Sequence, residues 1–200
     1  MLQTNENATN LPRRISASIL LHHKVEEIEA IVPIDLLRRA SFEITTYSVD
    51  ESRHVIGRSR LSLEADRSLD ALHAEDSDCL IIPGGPGIED LRGRADVIAK
   101  IRSFAEHQKP IAAICAAPLL LFDAGLLPAG TCCCAHASTA PILNLIEAKK
   151  THISDKIITS RGAGTAIDFA LTIIARLSSL THARRIAGSI EYNEPFDVNE

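Results

Sequence analysis

Tryptophan is absent from these 200 residues, aromatic side chains make up only 4%, and methionine occurs once. Basic residues are not in excess either. The formal net charge is −5 and the pI is near 5.9, so the chain lacks the basic face that general nucleic-acid binding requires. No apolar run reaches the ~18–20 residues of a membrane span. The opening stretch, MLQTNENATNLP, has neither the apolar centre of a secretion signal nor an arginine-rich amphipathic pattern. Paired cysteine spacings are missing as well. Five cysteines form an odd set, three of them consecutive at Cys132, Cys133 and Cys134, which excludes a fully paired disulfide framework. A reducing compartment, the cytoplasm, is the expected address. A hydrophobic fraction of 46% beside 24% charged residues excludes disorder, and the length suits one domain. We expect a flexible extension over 1–13, a single domain over 14–192 and a tail over 193–200.

Short apolar runs alternate with longer amphipathic ones. Strands are expected over 15–21, 42–47, 79–82, 111–114, 131–134 and 156–160, and helices over 25–40, 95–107, 116–124 and 165–180. On the first helix, Val25, Ile28, Val32 and Leu36 share one side. Continuously apolar strands separated by helices indicate an α/β fold with a mostly parallel sheet covered on both faces. Ligands on such sheets bind at the carboxyl ends of the strands, and the distinctive motifs fall there.

The sharpest of them is Ala112-Ala113-Ile114-Cys115-Ala116-Ala117-Pro118. A buried strand running straight into a helix is the setting of a nucleophile elbow, which needs small residues on both sides of the reactive one. The helix N-terminus is expected to lower the Cys115 pKa, and the Ala116 N–H to face an oxyanion. A small buried hydrophobe would fit the same pattern. Pro83-Gly84-Gly85-Pro86-Gly87 follows another strand, and glycines there let backbone N–H groups approach a ligand. No third glycine stands at the dinucleotide spacing, so no cofactor is expected. Glu26, Glu27 and Glu29 open the first helix, where acidic residues are favoured simply by the helix dipole. Pro33, four residues after Glu29, deprives the Glu29 carbonyl of its donor and predicts a kink. Such a turn could bring this carboxyl into a pocket, where its pKa would rise. His136 follows the cysteine-rich strand. With Cys133 it lacks the second ligand pair of a zinc site, so no metal is expected. Strand alternation would set Cys132 and Cys134 against Cys133 as packing residues, and Cys79 reads as core.

Taken in order, Glu26-Glu27-Ile28-Glu29 with Pro33 and Asp35-Leu36-Leu37-Arg38-Arg39-Ala40, Ile82-Pro83-Gly84-Gly85, Ala112-Ala113-Ile114-Cys115-Ala116, His136, and Thr159-Ser160-Arg161-Gly162-Ala163-Gly164-Thr165 resemble the ThiJ/PfpI superfamily, in the branch of the Parkinson-disease protein. The resemblance implies a flavodoxin-like three-layer sandwich and a homodimer. It implies Cys115 as the reactive thiol, Glu29 as a protonated carboxyl bonded to its sulfur, and His136 nearby. Gly84, Gly85 and Ala116 would frame the oxyanion and substrate. The implied chemistry is cofactor-independent conversion of methylglyoxal or glyoxal to a hydroxy acid, or repair of glycated adducts. The alternative is a redox-sensing stress-response protein or chaperone using the same cysteine. Protease-like relatives carry His directly after the nucleophile, where this chain has Ala116. An amidotransferase needs His-x-Glu downstream of its cysteine, and the match here, His73-Ala74-Glu75, lies upstream. Three positions depart from the branch: Ala117 for Gly, Ala137 for Pro, and Ser59 where an anion-holding arginine is expected in the segment Arg58-Ser59-Arg60.

Overall fold

The computed structural model describes residues 13–196. Its centre is a seven-stranded sheet. In chain order the strands are β1 (Ser16–Leu21), β2 (Glu43–Ser48), β3 (Arg67–Ser68), β4 (Cys79–Ile82), β5 (Ile111–Ile114), β6 (Thr151–Ser154) and β7 (Ile157–Ser160). Across the sheet they run β6-β7-β5-β4-β1-β2-β3, and every neighbouring pair is parallel except the edge hairpin β6–β7. The central strands β4 and β5 are buried along their whole length, so apolar residues occupy both faces rather than alternating with polar ones.

The pleat divides those residues between two cores. Ile19, Ile81, Ala112 and Ile114 meet the helices α1 (Glu27–Arg39) and α4 (Ala166–Leu177), with Phe169 and Ile173 at the centre. Leu80, Ile82, Ile111 and Ala113 meet α2 (Ala95–Glu106) and α3 (Pro118–Asp123) through Ile101, Phe104 and Leu120. A last helix, α5 (Leu180–Ser189), packs beside α4. The result is the expected α/β three-layer sandwich.

Several expectations are corrected. The segment at 131–134 adds no strand to the sheet: Cys132–Cys133 form a separate parallel pair with Asn144–Leu145. Cys134 leaves that pair, and its N–H donates to the Thr159 hydroxyl at 3.0 Å. Alternation therefore fails, with Cys132 exposed and both Cys133 and Cys134 buried. The helix expected over 165–180 ends at Leu177. The helix expected over 25–40 runs from Glu27 through Pro33 to Arg39. The buried face of α1 carries Glu27, Glu29, Ala30, Pro33, Leu36 and Leu37, while Ile28 and Ile31 are 50% and 41% exposed. The expected extension lies outside the described residues apart from Arg13, which pairs with Asp78. Within the expected tail, Phe196 packs against the α1–α4 core. Among the described residues, no helix is long and apolar enough to cross a membrane.

Candidate active site

Three strand ends converge to build the site. Cys115 directly follows β5, and its φ of 66° lies in the left-handed region, a strained conformation for a residue with a side chain. The turn is pinned on both sides. The Cys115 N–H donates to the Ser160 carbonyl at 3.0 Å, and the Ala117 N–H to the Ile114 carbonyl at 3.1 Å. Ala113 and Ala117 are fully buried, which explains why small residues flank the elbow. The Ala117 departure is accommodated here without exposure.

From α1 comes Glu29, only 1% exposed. Its Oε2 accepts the Gly84 N–H at 2.9 Å, and Cys115 and the Ala163 backbone act on its carboxyl in the direction that favours the ionised form. Burial is the largest influence on this carboxyl and raises its pKa to about 7, with the nearby Glu26 charge adding to the effect. The loop after β4 supplies Gly84 and Gly85. A Cβ on Gly84 would lie 2.7 Å from the Cys115 Cβ and 2.8 Å from both Glu29 Oε2 and the Ile114 carbonyl, so this position admits glycine alone. Gly85 has a φ of 110°. Its N–H and that of Ala116 act on the Cys115 sulfur in the direction that favours its charged form.

The expected lowering of the thiol pKa is corrected. Burial and the adjacent Glu29 carboxylate push Cys115 up to about 12, against the opposing pull of the Gly85 and Ala116 N–H groups. Helix α3 has only six residues and begins at Pro118, so its end offsets little of this desolvation. The two groups act as a pair. Burial raises the Glu29 carboxyl to about 7 and the Cys115 thiol to about 12. The two groups lie side by side, placed to pass a proton between them, and the Gly85 and Ala116 N–H groups favour the charged sulfur.

His136 is joined to the elbow through its backbone, with its N–H donating to the Cys115 carbonyl at 2.9 Å. Its Nδ1 accepts the Ser138 N–H at 3.2 Å and lies 2.9 Å from the Ser138 hydroxyl, so the neutral ring carries its proton on Nε2. Gly162 closes the remaining side. A Cβ there would stand 3.8 Å from Glu29 Oε1, 3.8 Å from His136 Cδ2 and 3.9 Å from Cys115 Sγ. The structure thus gathers Cys115, Glu29, His136, Gly84, Gly85 and Ala116 around one small space.

Other residues enter differently from the sequence reading. Ser59 donates its N–H to Glu27 Oε1 at 2.7 Å, and Arg58 pairs with Glu26 Oε2 at 2.9 Å. Sequence reasoning missed the Ala163 backbone contact to Glu29, since no side chain signals it. It also missed His22, a buried imidazole behind the oxyanion loop, with Nδ1 2.9 Å from the His23 carbonyl and Nε2 3.4 Å from that of Pro83. Among the described residues, no group of three His, Cys, Asp or Glu is placed to hold a metal ion.

A cysteine in left-handed conformation at the end of a central parallel strand, within a three-layer sandwich, has the backbone geometry of a nucleophile elbow. The chain belongs to the DJ-1/PfpI family, whose family model matches residues 15–176. It is 32% identical over 182 residues to the Arabidopsis thaliana protein named DJ-1 homolog A, covering 86% of this chain and 45% of that one; the chain therefore spans less than half of that relative. A Caenorhabditis elegans protein named glutathione-independent glyoxalase DJR-1.2 is 32% identical, with 81% of this chain and 88% of that one covered. The crystal structure of Drosophila melanogaster DJ-1beta superposes with a TM-score of 0.84 at 30% identity, covering 91% of this chain and all of that one.

Proposed function

We propose that the protein is a cysteine-dependent enzyme that converts reactive dicarbonyls such as methylglyoxal to hydroxy acids without a cofactor. The observation that carries this reading is the convergence of Cys115 Sγ, Glu29 Oε1 and the His136 ring edge around the one point over Gly162. The glyoxalase name of the nematode relative supports the same chemistry.

The sulfur, charged as its proton passes to Glu29, attacks the aldehyde carbon. An S–C bond forms while the carbonyl electrons move to oxygen, where the Gly85 and Ala116 N–H groups stabilise the charge and Glu29 delivers its proton. Glu29, now a carboxylate, takes a proton from the former aldehyde carbon to give an enediol, the hydroxyl proton of that carbon passes to the neighbouring oxygen, and Glu29 returns its proton to the neighbouring carbon. The hemithioacetal becomes a thioester of the hydroxy acid. Water cleaves that thioester, releasing lactate and restoring the thiol. The sum is methylglyoxal plus water giving lactate.

Lactate produced from methylglyoxal by purified protein provides the test. Wild type is expected to turn over, and Cys115→Ala to fall to the uncatalysed background. Equal clearance by both proteins would overturn the reading.

The active unit is proposed to be a homodimer formed through the outer face of α1. Ile28 and Ile31 are exposed there, and Leu61 is also 51% exposed, a concentration of apolar surface of the kind that partners cover. Ile28→Lys combined with Ile31→Lys is expected to shift the sedimentation coefficient from dimer to monomer. A wild-type monomer at micromolar concentration would contradict the proposal.

A further inference from the structure

His22 follows directly on β1 and is only 1% exposed, yet it takes no part in the chemistry above. Its ring lies between the two backbone segments that furnish the site. One is the turn 22–26, which leads into α1 and Glu29. The other is the loop 83–87, whose Gly84 N–H donates to Glu29 and whose Gly85 N–H favours the charged sulfur.

These segments meet backbone to backbone. The Glu26 N–H donates to the Gly84 carbonyl at 3.0 Å. A Cβ on Gly85 would stand 2.5 Å from both the Glu26 nitrogen and the Lys24 carbonyl, and one on Gly87 would fall on the His23 carbonyl. The His22 ring fills the seam. Its Nδ1 lies 2.9 Å from the His23 carbonyl in the turn, and its Nε2 lies 3.4 Å from the Pro83 carbonyl in the loop. Neither carbonyl meets another donor among the described residues, and a buried carbonyl left unpaired is costly.

Burial holds His22 below the ordinary histidine range, against the pull of those carbonyls, that of Gly84 and the Asp50 charge. Asp90, another carboxylate whose charge reaches the ring, is paired with Lys24. At pH 7–8 the ring is therefore neutral and carries one N–H. The contact to His23 has the length of a good hydrogen bond and the contact to Pro83 does not, which places that proton on Nδ1.

We propose that His22 is a positioning residue for the reaction: its Nδ1–H fixes the His23 carbonyl, on which Gly87 rests, and so holds the loop 83–87 with its Gly85 N–H toward the Cys115 sulfur. The proposal rests on the dicarbonyl reading above for the substrate and adds the residue that aligns its oxyanion loop. That loop matters most as charge gathers on the sulfur and then on the substrate oxygen. Misplacing it costs rate rather than substrate binding.

His22→Leu fills the seam without a donor, whereas His22→Asn is smaller but returns an N–H at the Nδ1 position. His22→Leu is expected to lower kcat for methylglyoxal about tenfold with KM unchanged, and to slow iodoacetamide alkylation of Cys115 at pH 8 by a similar factor. His22→Asn is expected to restore both to within about threefold of wild type. A residue serving packing alone would give the reverse order, since leucine fills the space better. Should His22→Leu not fold, His22→Gln takes its place with the same expectation, because its amide sits at the Nε2 position. Wild-type rates in the variant without the Nδ1 donor, a loss expressed in KM instead of kcat, or equal loss in that variant and His22→Asn would overturn the proposal. Alkylation needs no turnover. Absence of lactate from wild type would sink the dicarbonyl reading, and the alkylation rates would still decide the role of His22.

Discussion

Glu29→Gln is expected to lower kcat/KM for methylglyoxal by about 10³-fold while making the protein more stable at pH 8. The amide keeps the acceptor for the Gly84 N–H and a donor for the sulfur, but it carries no proton between carbon and oxygen. The stability change follows from burial. The folded-state pKa of Glu29 is raised from 4.5 to about 7. A carboxyl raised in this way contributes stability that is fully present below its unfolded value and is lost as pH rises through the folded one. Wild type should therefore lose up to about 3 kcal/mol between pH 4.5 and pH 8 from this group. The glutamine variant should not. Urea titrations at the two pH values measure the difference. A stability gap that does not widen with pH would show that Glu29 is not forced to ionise in an unfavourable setting.

Gly84→Ala is expected to disable the site by a different route. The added methyl would meet the Cys115 Cβ, Glu29 Oε2 and the Ile114 carbonyl, all at under 3 Å, and only the Glu29 oxygen, itself buried, is the end of a side chain. Overpacking of this kind costs about 3 kcal/mol, or a melting temperature lower by roughly 10 °C for a chain of this size. The oxyanion loop would have to move away from the sulfur to relieve it, so turnover is expected to fall at least about 10²-fold even where the variant is folded. A folded variant with wild-type kcat would contradict the placement of Gly84 against the elbow.

The fold was legible wherever burial was set by the residues themselves. Runs such as Cys79–Ile82 and Ile111–Ile114 suit only a strand buried on both faces. The elbow was legible because Ala113, Ala116 and Ala117 are the small residues that crowding there demands. Glu29 was singled out through Pro33, and it does enter the pocket, although the helix runs on past the proline. What could not be read depends on tertiary surroundings. The direction of the Cys115 shift is set first by burial, with the Glu29 charge adding to it and two N–H groups opposing it. Ile28 carries the apolar signature of a core position, yet turning Glu27 and Glu29 inward leaves it on the surface. The edge strands Arg67–Ser68 and Thr151–Ser154 are polar or short, and their pairing comes from neighbours rather than from pattern. Cys134 breaks strand alternation because its N–H is taken by the Thr159 hydroxyl.

The central claim is that the Glu29 carboxylate takes the Cys115 proton as the sulfur attacks, so that a thiolate forms there despite burial. The pH dependence of alkylation by iodoacetamide, mapped by mass spectrometry over all five cysteines, tests it most directly. The account predicts labelling concentrated at Cys115, with a rate that rises through pH 7 as Glu29 ionises and then levels off. A Cys115 rate that climbs only toward pH 12, as for a buried thiol with no carboxylate to take its proton, would contradict it.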